Sequence, residues 1–132
     1  MSEIVLDSSA VLAMVFGEPG GERVHDAIVS SQYSISISAV NWCEVLAKLV
    51  QRSSIMTAGR LMAILPGVVV VPFGQSEAEA VATLAKSCPH ISLGDRACLA
   101  LAQANHATAW TADRVWMECK LDVPVELIRH LP

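Results

Sequence analysis

Aromatic residues are few: three Trp, one Tyr and two Phe make up 5% of the 132 residues. The core must therefore be built from Ala, Val, Leu and Ile. No apolar run reaches the roughly 18 residues that a membrane-spanning helix needs. The opening stretch MSEIVLD has neither a basic n-region nor an apolar h-region, so no signal peptide is expected. There is no Lys/Arg-rich run, and the net charge is −4. A protein that holds nucleic acid by bulk charge is usually basic, so any nucleic-acid partner must be held at a local site, for instance through a metal. Cys43, Cys88, Cys98 and Cys119 form no CxxC pair, and no His lies near one at zinc-ligand spacing. Free, mostly buried thiols in a reducing cytosol are expected. GEPGG lacks the GK[ST] ending of a phosphate loop. His25, His90, His106 and His130 are scattered, with no nucleophile motif beside them.

What is present is apolar matter and carboxylates. Hydrophobic residues make up 53% of the chain and its mean hydropathy is +0.47, which excludes disorder. The length suits one domain spanning residues 1–132. Short apolar or alternating runs (IVL, YSISIS, VVVVP, ATAWT, VPVELI) read as strands. Between them lie helical stretches: SAVLAMVF, with Ser8 or Ser9 as cap, ERVHDAIVSS, AVNWCEVLAKLVQRS, MTAGRLMAIL, SEAEAVATLAKSC and LGDRACLALAQANH, with DRVWMEC as a short one. Fully apolar strands such as VVVV need cover on both faces. The pattern predicts an α/β fold, a mostly parallel central sheet of four to five strands with helices on both faces. In such sheets, sites form outside the carboxyl ends of the strands.

The acids stand at such places. Asp7 follows the strand IVL, and Asp113 follows TAWTA. Each is placed to cap the next helix or to join a site if the two strands are neighbours. Asp95 has capping-box spacing with Ser92, yet it shares a helical face with Cys98, Leu99 and Ala102. A carboxylate on an apolar face needs a partner, and a metal ion is one. Glu44 falls with Asn41, Lys48, Gln51 and Arg52 on the polar side of its helix. There it reads as a solvated ion pair with Lys48 or as a cleft residue.

Four stretches together resemble the PIN-domain family, and within it the VapC-type toxins of toxin–antitoxin pairs: IVLDSSAVLAMVFGEPG, SAVNWCEVLAKL, ISLGDRACLALA and TAWTADRVW. The resemblance implies Asp7, Glu44, Asp95 and Asp113 as the catalytic acids. Of these, Asp7, Asp95 and Asp113 are the implied ligands of Mg²⁺ or Mn²⁺, and Ser9 is the hydroxyl supporting Asp7. Some members carry another Asp or Asn just after the third Asp. Here Arg114, Val115 and Trp116 follow, so that ligand is absent. The implied activity is metal-dependent endoribonuclease cleavage, leaving a 5′-phosphate and a 3′-hydroxyl. Crowded carboxylates repel one another, and a hard divalent cation that prefers oxygen relieves this.

Lys48, Arg96 and Arg114 lie beside the acids in sequence, as phosphate contacts or as solvated cations. The implied partners are RNA, a small antitoxin protein and a second copy in a homodimer, in the cytoplasm and with no membrane. The helix holding Met56, Leu61, Met62, Ile64 and Leu65 is more apolar than one buried face requires. Two rivals remain. One is a catalytically inactive PIN-type binding module. The other is a phospho-acceptor receiver domain, which wants an early acidic pair and a late Lys that IVLDSS and VPVELI do not offer.

Overall fold

The computed structural model describes residues 1–129, and His130 lies outside them. Strands β1 (Ser2–Leu6), β2 (Tyr33–Ser38), β3 (Val69–Val71), β4 (Thr108–Thr111) and β5 (Val125–Leu127) alternate with helices. These are α1 (Ser8–Phe16), α2 (Gly21–Ser30), α3 (Ala39–Gln51), α4 (Ala58–Ala63), α5 (Gln75–Thr83), α6 (Leu93–Asn105) and a 3₁₀ turn, Arg114–Glu118. The strands form one five-stranded sheet, ordered β3-β2-β1-β4-β5. Every pairing is parallel.

The period-two geometry of β1 divides the core. Ile4 and Leu6 pack with Ile35, Ile37 and Trp110 against α1 to α4. Val5 points the other way, with Ala109, into the core under α5 and α6. Helices therefore cover both faces, as the apolar strands require. β3 differs from the sequence expectation of a buried strand. It is a sheet edge, where one flank and part of one face meet solvent, and Val69 is 59% exposed. Helix α5 ends at Thr83, short of the expected stop near Pro89.

The expectation of four free thiols is also corrected. Cys88 and Cys119 are paired as a disulfide, with Cα atoms 5.1 Å apart across a sequence separation of 31. Spacing alone could not show this, because the pair forms where the loop before α6 packs on the end of the 3₁₀ turn. Cys43 and Cys98 are free, the first exposed and the second buried. Among the described residues no helix is long and apolar enough to cross a membrane.

The strand order reverses at β1, with β2 and β3 on one side and β4 and β5 on the other. The crevice at such a reversal, outside the carboxyl ends of the strands, is where sheets of this kind bind ligands. Leu6, 1% exposed, anchors the sheet just before that crevice. Truncating it to Ala should remove about 3 kcal/mol of stability. Ile55→Ala, at a residue 84% exposed, should change stability by less than about 0.5 kcal/mol. Urea denaturation of both variants checks the difference.

Candidate active site

β1 and β4 are hydrogen-bonded neighbours, and the Asp7 N–H extends their ladder by donating to the Trp110 carbonyl (3.1 Å). This puts the Asp7 side chain at the sheet's carboxyl edge, 2% exposed. Asp7, and neither serine, caps α1, with extended backbone (φ −91°, ψ 177°) and Oδ1 accepting from the Ala10 N–H at 2.8 Å. The Ser9 hydroxyl donates to Oδ1 and Oδ2 (2.8 and 2.9 Å), and the Thr111 hydroxyl donates to Oδ2 at 2.6 Å. Those two hydroxyl oxygens accept in turn from the N–H groups of Ala112 (2.9 Å) and Asp113 (3.0 Å). Both hydroxyl protons are thus committed to the carboxylate. Thr111 is fully buried and links the Asp7 and Asp113 segments. The sequence reading does not single it out, although its hydroxyl stands two residues before Asp113 in TAWTAD.

Burial drives the Asp7 pKa from its ordinary 3.8 up to about 7, against the lowering hydrogen bonds from Thr111, Ala10 and Ser9. The nearby Asp95 charge adds to the rise. Asp95 is half-buried in the first turn of α6, where it completes a capping box with Ser92: Ser92 Oγ accepts from the Asp95 N–H (3.1 Å), and Asp95 Oδ2 accepts from the Ser92 N–H (3.3 Å). Its pKa is raised, first by burial, with Ser92 opposing and the Asp113 charge contributing. Trp116 also acts on Asp95 in the lowering direction, but its buried indole N–H makes no hydrogen bond of good geometry. Asp113 is exposed and caps the 3₁₀ turn, Oδ1 accepting from the Val115 N–H at 3.0 Å.

Glu44, on α3, is itself exposed but is tied inward: Asn41 Nδ2 donates to its Oε1 (2.9 Å) and to the Gly94 carbonyl of α6 (2.9 Å). Asn41 is 0% exposed, which corrects its placement on the solvated side of α3. Beneath the acids lies Cys98, whose thiol donates to the Val5 carbonyl (3.9 Å). Burial pushes that thiol well above its ordinary pKa of 9.0, and the charges of Asp7, Asp95 and Glu44 push it further. Such a thiol stays protonated and inert.

Among the described residues no cation forms an ion pair with the four acids. Among the described residues the ion pairs are Arg23–Glu126 and His25–Asp26. Lys48 and Arg114 are exposed. Arg96 is half-buried, with Nε and Nη2 donating to the carbonyls of Cys88 (3.0 Å) and Pro89 (3.3 Å), so most of its reach is spent on the loop before α6. No three His, Cys, Asp or Glu side chains among the described residues are drawn together closely enough to hold a metal jointly. The chemistry of the set nonetheless fits one. All its donors are hard carboxylate oxygens, suited to Mg²⁺ or Mn²⁺, and a buried carboxylate lacks a counter-charge. An apolar groove of about 320 Å³, lined by Phe73, Val81, Ala97 and Leu101 among others, contains none of the four acids.

A family model described as PIN domain matches residues 4–119. The structure is similar to a toxin–antitoxin complex from Klebsiella pneumoniae, with TM-score 0.73 and 18% identity over 97% of this chain and 99% of that one. VapBC2 from Rickettsia felis, bound to a DNA fragment from their promoter, gives TM-score 0.74 and 14% identity over 95% and 98%. VapC20 from Mycobacterium tuberculosis, a sarcin-ricin loop cleaving toxin, gives 0.65 and 19% over 84% and 90%. At such identities the likeness shows the fold alone. No curated protein compared with the sequence matches it.

The raised Asp7 pKa makes metal-free stability depend on pH in a definite direction. Between its unfolded pKa and about 7 the folded state holds a proton that the unfolded state has lost. The stabilisation is complete below about pH 4 and disappears as pH rises through about 7. In EDTA, wild type should therefore lose on the order of a few kcal/mol relative to Asp7→Asn between pH 5 and pH 8. The variant's amide can donate to the Ser9 and Thr111 hydroxyls once they rotate. Thermal melts across that range check this, and parallel pH profiles for the two proteins would contradict it.

Proposed function

The chain belongs to the PIN-domain family, and from that premise we propose that it is a metal-dependent endoribonuclease, the toxin of a toxin–antitoxin pair. The observation that carries this reading is the buried Asp7 carboxylate at the sheet's reversal point, without an ion-pair partner among the described residues, with Asp95 and Asp113 each capping the start of a further helical element. Asp7, Asp95 and Asp113 would hold Mg²⁺ or Mn²⁺. A hard divalent cation there supplies positive charge against the phosphate and activates water for attack. It also lets an acidic chain accept an acidic substrate.

The chain's own groups divide the remaining work. Ser9, Thr111 and the Ala10 N–H hold Asp7 in one orientation. The caps at Ser92 and Val115 do the same for Asp95 and Asp113, leaving Asp95 Oδ1 and Asp113 Oδ2 without a hydrogen bond among the described residues. Glu44 Oε2 is likewise free while Oε1 is held by Asn41, which makes Oε2 the oxygen to take a proton from the attacking water. Lys48 and Arg114, both exposed, are the candidate contacts for RNA phosphates. The cleaved bond leaves a 5′-phosphate and a 3′-hydroxyl.

The partner assignment follows the similar proteins, several of which are toxin–antitoxin assemblies. It comprises a small antitoxin over the acidic crevice and a homodimer in the cytoplasm. On α4 and just after it, Met62 (40% exposed) and Ile64 (41%) stand out beside the buried Leu61 and Leu65, apolar surface suited to a second copy. A catalytically inactive PIN-type binding module is the second reading. It draws on the absence, among the described residues, of three acids close enough to share a metal. The receiver-domain alternative gives way to the family membership.

Purified protein incubated with total RNA should cleave it in Mg²⁺ or Mn²⁺ and not in EDTA. Asp7→Asn and Asp95→Asn should each lower the rate by about 10³-fold, the scale of losing a group that stabilises transition-state charge. Glu77→Gln, at a residue whose carboxylate is held by Gly74 and Ser76 at the start of α5, should leave it unchanged. Full activity in Asp7→Asn protein would sink the assignment, and an inert wild type in all metals would leave the binding module standing.

A further inference from the structure

Asn41 occupies a place where helix α3 has no evident use for a polar side chain. Its buried stripe is Asn41, Val45 and Leu49, at i, i+4 and i+8. Val45 and Leu49 on this stripe hold α3 in the core it shares with α1, α2 and α4. Asn41 is 0% exposed, and its Oδ1 has no hydrogen-bond partner. A buried acceptor left unpaired is destabilising, whereas an apolar residue of similar size would not be. What Asn41 does achieve is through Nδ2. Its two protons are divided between Glu44 Oε1, on its own helix, and the Gly94 carbonyl, in the first turn of α6 (both 2.9 Å). The amide orientation follows from these partners, because both are acceptors and only the NH₂ end can serve them.

Gly94 supplies a second, independent observation. It precedes Asp95 and is buried within α6, where glycine lowers helix propensity. Its backbone is ordinary helix, so no positive φ calls for it. A Cβ built there would meet the Glu44 carboxylate, with Cδ at only 2.6 Å. The side chain of Glu44 thus lies in the space that any other residue at position 94 would fill. One face of that carboxylate is set by the missing Cβ, and one oxygen is set by the Asn41 amide.

We propose that Asn41 and Gly94 are positioning residues that together seat the Glu44 carboxylate against the first turn of α6, fixing its placement relative to Asp95. The inference rests on the ribonuclease reading for its consequence in catalysis, but the seat itself is a property of the metal-free fold. Oε1 is consumed by the seat, and Oε2 lies against Gly94 without a hydrogen bond among the described residues.

The test separates seating from stability. Asn41→Leu removes the donors and the unpaired acceptor while continuing the Val45–Leu49 stripe. It should keep the urea midpoint at or above that of wild type and lower kcat about 10- to 100-fold, the range for losing a group that orients an active-site side chain, with KM little changed. Gly94→Ala probes the same seat without touching Asn41. In wild type it should lower the urea midpoint in EDTA, because the new methyl meets the carboxylate. In a Glu44→Ala background it should raise the midpoint, because the helix gains from Ala once that space is free.

An Asn41→Leu protein that cleaves at the wild-type rate would overturn the inference while leaving the ribonuclease reading intact. So would an equal loss of midpoint on Gly94→Ala in both backgrounds. A wild type that cleaves nothing overturns the ribonuclease reading instead, and the urea cycle still decides the seat. Should Asn41→Leu fail to fold, the Gly94 cycle and the kcat of Gly94→Ala decide the question.

Discussion

A carboxylate buried without a counter-charge organises this molecule. Ionised, Asp7 would be intolerable in an apolar interior. It is made tolerable by the Ala10 N–H and two hydroxyl protons, and even so its pKa is raised to about 7. Those donors come from the first turn of α1 and from the end of β4. Asp7 can therefore be satisfied only when β1 and β4 lie side by side and α1 starts where it does. The arrangement that satisfies the carboxylate is also the one that builds the crevice.

Capping a helix and standing at the carboxyl edge of the sheet are compatible roles for one carboxylate. Asp7 caps α1, Asp95 closes the capping box of α6, and Asp113 caps the 3₁₀ turn. Capping fixes a carboxylate through backbone N–H groups that must find acceptors in any case. The positive ends of these elements also moderate the mutual repulsion of the acids. Parallel strands with short connections bring helix starts to one edge of the sheet. Residues that initiate helices thereby become neighbours across long sequence separations. Glu44 is the exception. It sits one turn into α3 and needs a separate device, the Asn41 amide, to reach the same place.

The cations show the opposite economy. Arg96 and Arg114 both follow an acid directly. Arg96 is drawn back onto the carbonyls of Cys88 and Pro89, bracing the loop that leads into Ser92 and Asp95. The Cys88–Cys119 pair ties that same loop to the end of the turn that carries Trp116. Two of the acidic segments are thus braced from behind.

Much of this was legible in the residues themselves. Period-two and helical patterns placed nearly every element, the strand-end positions of Asp7 and Asp113 pointed to the sheet edge, and the apolar face of Asp95 showed that it needed a partner. These are local properties, decided within one turn or one strand by side-chain geometry. What the tertiary structure alone decided was adjacency. Periodicity could not say that β4 lies beside β1, that VVV is an edge strand, or that Thr111 reaches across to Asp7. Nor could it pair Cys88 with Cys119, or show that Asn41, which shares a helical face with Glu44 and Lys48, turns inward. Each of these depends on which surface meets which. That is settled by burying two apolar faces of one sheet at once, a global condition that no window of sequence contains.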